Sequence, residues 1–149
     1  MTGEGRALPA SYVATGLAVP EQLDELHELL RSAVAEHAEV PAEALMMFET
    51  AVMEIAGNVV EHGRPHGQVL WRFDLTVSAH SLTALLSDSG EEYERPPSAG
   101  MPDEWAEAGR GLPMAEATLH ELTFERRGEV NQWRMVRHYA AGAPEPAAP

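Results

Sequence analysis

The sequence predicts an α+β fold, a two-layer sandwich in which helices cover one face of a mixed, mostly antiparallel sheet. Three observations predict it. Apolar residues recur at helical spacing over residues 21–37 and 41–61. Two pairs of neighbouring segments, 68–78 with 82–87 and 122–127 with 131–139, alternate with period two across turns too short for a helix. The segments run strand, two helices, hairpin, loop, helix, hairpin. That order collects the helices together instead of alternating them with parallel strands.

Taken in order, residues 1–10 are small and polar and are expected to be a flexible N-terminus. One domain is expected over 11–140. Residues 11–18 alternate as a short strand closed by Pro20. Leu23, Leu26, Leu29, Leu30 and Val34 make 21–37 an amphipathic helix. Pro41 suits the first turn of the next helix, which carries Leu45, Phe48, Val52, Ile55 and Val59 in one stripe and stops at Gly63. His80 and Ser81 turn the first hairpin, and Gly128 turns the second. Trp71, Phe73, Trp133 and Met135 fall on sheet faces as core residues. Met46, Met47 and Met53 read as gap-fillers first and an adaptable partner surface second. Residues 91–108 lack periodicity, as lids often do, and 111–119 form a short helix. The Pro-rich residues 141–149 are expected to be a disordered tail.

With 149 residues the chain is long enough for a real core, and its net charge of −14 argues against nucleic acid and against an anionic membrane surface. No apolar run approaches membrane-spanning length, and the first residues lack a signal-peptide core, so the cytoplasm is the expected location. Cysteine is absent, which removes disulfides, thiolate metal sites and a thiol nucleophile. All ten basic residues are Arg, so P-loop and Schiff-base lysine chemistry are excluded as well.

Three motifs carry chemistry. Glu54 and Asn58 stand one turn apart on a helix, with Glu61 on the same side. A carboxamide oxygen there suits Mg²⁺, and the free carboxylate suits proton transfer. Asp88-Ser89-Gly90 ends a strand, where a carboxylate can accept an amine of adenine beside a glycine that lets the chain turn. Gly109-Arg110-Gly111-Leu112 opens a helix whose free N–H groups suit phosphate. Singly, each has a plain structural reading too: a solvated helix face, an Asp-Ser-Gly turn, and a bare Gly-x-Gly. His62 and His66 have metal-ligand spacing, but Gly63 and Pro65 break the helix between them, so surface histidines are expected. His27 and His37 are expected to face solvent.

In this fixed order the motifs resemble the ATPase superfamily of gyrase, the heat-shock chaperones, histidine kinases and MutL, which has the Bergerat-type ATP-binding fold. Within it they look most like the anti-sigma-factor serine/threonine kinases of partner-switching systems. The residues that carry the resemblance are ETAVMEIAGNVVEHG (from Glu49), LLSDSGEEYERP (from Leu85), EAGRGLPMAEATLHEL (from Glu107) and GEVNQWRMVR (from Gly128). The resemblance implies Glu54 as catalytic base and Asn58 as Mg²⁺ ligand. It implies Asp88 as the adenine-recognising acid with Gly90 beside the base, and Gly109 and Gly111 as phosphate-side glycines, with Arg110 and Leu112 in the same turn. His62 would line the site, and residues 91–108 would form the ATP lid. The implied activity is phosphoryl transfer from ATP to an anti-sigma-factor antagonist, with sequestration of a sigma factor or other target, by a homodimer.

Three positions depart from that family. Glu92 stands where the first glycine box has its second glycine, His120 where Asp is common, and Glu61 where a basic residue is frequent. Glu92 motivates an alternative, a partner-sequestering module of the same fold with weak or no kinase activity. A stand-alone ATPase is a third possibility. Gly-x-Ser-x-Gly is absent, which speaks against a serine hydrolase.

Overall fold

The computed structural model of the protein describes residues 7–92 and 111–140, and of residues 111–114 the backbone alone. Strand β1 (Ala10–Leu17) leads through a 3-10 turn (Pro20–Gln22) into helices α1 (Leu23–Ala35) and α2 (Ala42–His62). Then follow the hairpin β2 (Leu70–Val77) and β3 (Ser81–Asp88), helix α3 (Gly111–Thr118), and the hairpin β4 (Glu121–Arg127) and β5 (Val130–His138). The sheet order is β1-β2-β3-β5-β4. All four pairings among the described residues are antiparallel, so the sheet is not mixed as expected. The predicted helical tract at 21–37 is divided. Its first residues wind as the 3-10 turn and α1 stops at Ala35.

The helices line up over the sheet, α1 against β1 and β2, α2 against β3 and β5, and α3 against β4. Phe48, Val52, Ile55 and Val59 of α2 recur at helical spacing and are at most 2% exposed. They meet Phe73, Leu75, Leu82, Leu86, Trp133 and Met135 from the inner face of the sheet, in one core that also takes Leu26 and Leu30 of α1. Burying each such side chain contributes about 1.5–3 kcal/mol. Leu45, expected in the stripe, is only half-buried. Met46 is no gap-filler, being 58% exposed, whereas Met53 packs at the core edge. His37, expected at the surface, is buried with its Nε2 2.7 Å from the Tyr12 hydroxyl.

Local signals place the ends of these elements. Pro41 lies one residue ahead of the first turn of α2, as its N-cap in extended conformation, and its carbonyl accepts the Leu45 N–H at 3.1 Å. Gly63 ends α2 with φ −66°, outside the left-handed region that glycine caps commonly use. Its glycine is required for space instead, because a Cβ there would lie 2.7 Å from the Val59 carbonyl oxygen and 3.2 Å from Val69 Cγ2. The Arg64 guanidinium closes the helix by donating to the Glu61 and Gly63 carbonyls at 2.9 and 3.0 Å. In the first hairpin, Ser78 N–H donates to the Ser81 carbonyl at 2.9 Å, so the turn is at Ala79 and His80 and Ser81 already belongs to β3. Gly128, with φ +59°, occupies the first loop position of the second hairpin, where mirror-image turns need glycine.

Candidate nucleotide site

Helix α2 carries four of the residues singled out in the sequence, all in its C-terminal half. Glu54 is half-buried, His62 is half-buried as the last helical residue, and Glu61 is exposed. Asn58 is deeper than its place beside the apolar stripe suggested, at 5% exposed. Its Nδ2 has no hydrogen-bond partner among the described residues. A buried amide without a partner loses its hydration without replacement. Such a group fits a ligand that brings its own polar atoms, and turning the amide about its last torsion presents the oxygen instead of the nitrogen. Among the described residues no three His, Asp or Glu side chains gather as a metal cluster. The chemistry of the pair Glu54 and Asn58 fits a cation held by one amide and completed by substrate phosphates, as Mg²⁺ commonly is.

The end of β3 is tied to the loop that leaves α2. Ser89 N–H donates to the Leu70 carbonyl and Leu70 N–H to the Ser89 hydroxyl, both at 2.9 Å, and Glu91 N–H donates to the Arg64 carbonyl at 2.8 Å. Val69 lies between Gly63 and Gly90, and a Cβ on Gly90 would be 3.3 Å from Val69 Cγ2 and from the Arg64 carbonyl. Gly90 is therefore needed for close approach, with a φ that any residue can adopt. This junction ties the exit of β3, just after Asp88, to the loop that follows α2.

Asp88 is 2% exposed. A carboxylate so buried must be hydrogen-bonded. Its Oδ1 accepts from Gly90 N–H at 2.8 Å and from Asn131 Nδ2 at 2.9 Å. Asn131, fully buried, also donates to the Glu91 carbonyl at 2.9 Å and lies 3.3 Å from the Gly90 carbonyl. Arg126 Nη1 completes the group, donating to the Asn131 Oδ1 at 3.0 Å and to the Gly90 carbonyl at 2.7 Å.

A buried acid thus ends a central strand, and the exit of that strand is tied to the loop after a helix that carries Glu-x-x-x-Asn. The sequence profile of the histidine kinase-like ATPase domain matches residues 17–137. The chain belongs to this family. Among solved structures, the RsbU and RsbW domains of Rv1364c from Mycobacterium tuberculosis share its fold with a TM-score of 0.63 at 19% identity. That match covers 93% of this chain and 34% of the other, so the chain spans about a third of the length of the solved chain it matches. No curated protein sequence matches significantly.

In this histidine kinase-like ATPase domain, Gly109 and Arg110 lie outside the described residues, as do residues 1–6, the tail 141–149 and most of the expected lid, whereas Ala10, expected in the flexible N-terminus, is buried at the start of β1. Gly111 opens α3 as expected, and Leu112 is in its first turn. α3 packs on α2, with Ala115 and Leu119 in the core. Its last carbonyl region is closed by Arg137 Nη1, which donates to the Thr118 carbonyl at 2.9 Å. His120, just after α3, is exposed and accepts the His138 N–H on Nδ1 at 2.9 Å, a link to β5 away from Asp88. Glu92 is exposed. Sequence reasoning missed Asn131 and Arg126. A signal was available: Asn131, Trp133 and Met135 share one face of β5, so a polar side chain stands where alternation demands an apolar one.

Proposed function

We propose that this ATPase domain is an ATP-dependent serine/threonine protein kinase and anti-sigma factor of the partner-switching type. On this reading it phosphorylates an anti-sigma-factor antagonist and sequesters a sigma factor or equivalent target, as a cytoplasmic homodimer. The observation that carries the nucleotide part is the buried Asn58 Nδ2, without a hydrogen-bond partner among the described residues, one turn from Glu54 on the helix whose following loop is tied to the exit of β3. The kinase and partner part is supported by the family motifs together with the fold shared with the RsbW-containing structure.

Each residue has a task. The Asp88 carboxylate accepts the exocyclic amine of adenine, and Gly90 keeps the chain close to the base without a side chain in the way. Gly111 and Leu112 at the N-terminus of α3, together with Gly109 and Arg110, which precede them in sequence, would offer the phosphates N–H groups and one guanidinium. Asn58 would hold Mg²⁺, which when bound would supply charge neutralisation to the phosphate oxygens. Glu54 accepts the proton of the attacking serine or threonine hydroxyl as its oxygen bonds to the γ-phosphorus and ADP departs. His62 lines the same end of α2. Such transfer depends chiefly on positioning and fixed dipoles.

Glu54→Gln tests the assignment. Transfer of labelled phosphate from ATP to a co-purified antagonist should fall by about 10²-fold or more, the range for loss of a general base, while ATP binding persists. The second reading, a sequestering module, rests on Glu92 in place of a glycine. Unchanged partner control in cells carrying Glu54→Gln would favour the module.

A further inference from the structure

Asp88, Asn131 and Arg126 form one row across three strands. Asp88 of β3 stands directly opposite Asn131 of β5, and Asn131 directly opposite Arg126 of β4. The side chains follow the same row, guanidinium to carboxamide oxygen to carboxamide nitrogen to carboxylate. We infer that Asn131, braced by Arg126, is a positioning residue that fixes the plane of the Asp88 carboxylate and thereby sets the preference for a purine bearing an amine.

A carboxylate on a single contact can swing about its last torsion, whereas one held by N–H groups from two directions cannot. Gly90 N–H and Asn131 Nδ2 approach Oδ1 from the chain's own turn and from the neighbouring strand. The Asn131 amide is itself held at both ends. Its nitrogen serves Asp88 and the Glu91 carbonyl, and its oxygen is fixed by a cation, a charge-assisted contact of the stronger kind. Arg126 also grips the Gly90 carbonyl, so the turn after β3 and the carboxylate before it are held by one network. Asn131 is fully buried and touches the acid rather than solvent. A fixed acceptor rewards an N–H donor at the purine 6-position and repels a carbonyl there, which is how buried polar groups discriminate.

This inference rests on Asp88 reading the base, and its test separates the two. Binding of ATP and of purine riboside triphosphate, which has hydrogen in place of the amine, is measured on the full chain. The proteins are wild type, Asn131→Leu and Arg126→Met, each with its melting temperature. Wild type should prefer ATP. Asn131→Leu should reduce that preference about tenfold, the factor for one hydrogen bond to a charged group, and leave the amine-free nucleotide unaffected. Arg126→Met, which touches neither Asp88 nor the base, should reduce it by a smaller factor. Parallel loss for both nucleotides would show a purely structural role and overturn the inference. A preference that survives both substitutions would overturn it too. Wild type that does not distinguish the nucleotides would overturn this inference and the reading of Asp88 together. Should Asn131→Leu fail to fold, Arg126→Met decides alone.

Discussion

The carboxamide of Asn58 is a buried polar group whose Nδ2 has no partner among the described residues, in a helix otherwise chosen for packing. Replacing such a group with an apolar one is close to neutral or stabilising. Asn58→Ala should therefore leave stability within about 1 kcal/mol of wild type while ATP binding falls. Loss of both, by calorimetry and thermal melting, would make the residue structural. Tyr139 offers a second test at this scale. Burial first, and the nearby Glu39 charge second, push its phenol up to about 12, and its hydroxyl donates to the Ser78 carbonyl. A folded pKa above the unfolded value of about 10 means that the stabilisation is complete below pH 10 and disappears as pH rises through the folded value. Stability should thus fall between roughly pH 10 and 12, and Tyr139→Phe should remove that part of the fall. A phenolate titration should show a late-ionising tyrosine in wild type that is lost in Tyr139→Phe.

Helix α2 shows what an element gives to packing and what it withholds. Phe48 is fully buried, and Phe48→Ala should cost about 3–5 kcal/mol in chemical denaturation. Gly57 lies in the same helix, yet a Cβ there would meet nothing within 4 Å. Gly57→Ala should accordingly stabilise by about 0.5–1 kcal/mol, since glycine is a poor helix former. A loss of stability would mean that the helix needs the missing side chain. The helices and hairpins were legible because their periods are set by which face meets the core. The turn at Ala79 and His80 was placed one residue late, because residue type alone does not say where Ser78 and Ser81 pair. The depth of Asn58 was also misread. At 5% exposed it shows that the width of a buried stripe depends on how α3 and the sheet flank the helix, which spacing does not encode. The clamp on Asp88 depends on register across β3, β5 and β4, and long-range register is not written in any one segment.

On the scale of the whole molecule, one sheet and one helical layer converge on a single junction. The C-terminal end of α2 and the exit of β3 are joined through Val69, Arg64 and Gly90, and no helix among the described residues is long and apolar enough to cross a membrane. Gly90→Ala tests the junction, because a Cβ would lie 2.9 Å from Asp88 Oδ1 and so displace the carboxylate. ATP binding should weaken by at least about tenfold, the equivalent of one hydrogen bond to a charged group, more than the melting temperature alone would imply. The central claim is that this junction binds Mg²⁺-ATP through Asn58 and Asp88. The most direct test is calorimetric titration of ATP, with and without Mg²⁺, into wild type, Asn58→Ala and Asp88→Asn. The account predicts saturable binding by wild type, loss of its Mg²⁺-dependent part in Asn58→Ala, and weakened binding at either Mg²⁺ condition in Asp88→Asn. Folded wild-type protein that binds no ATP, or binding unchanged by both substitutions, would contradict it.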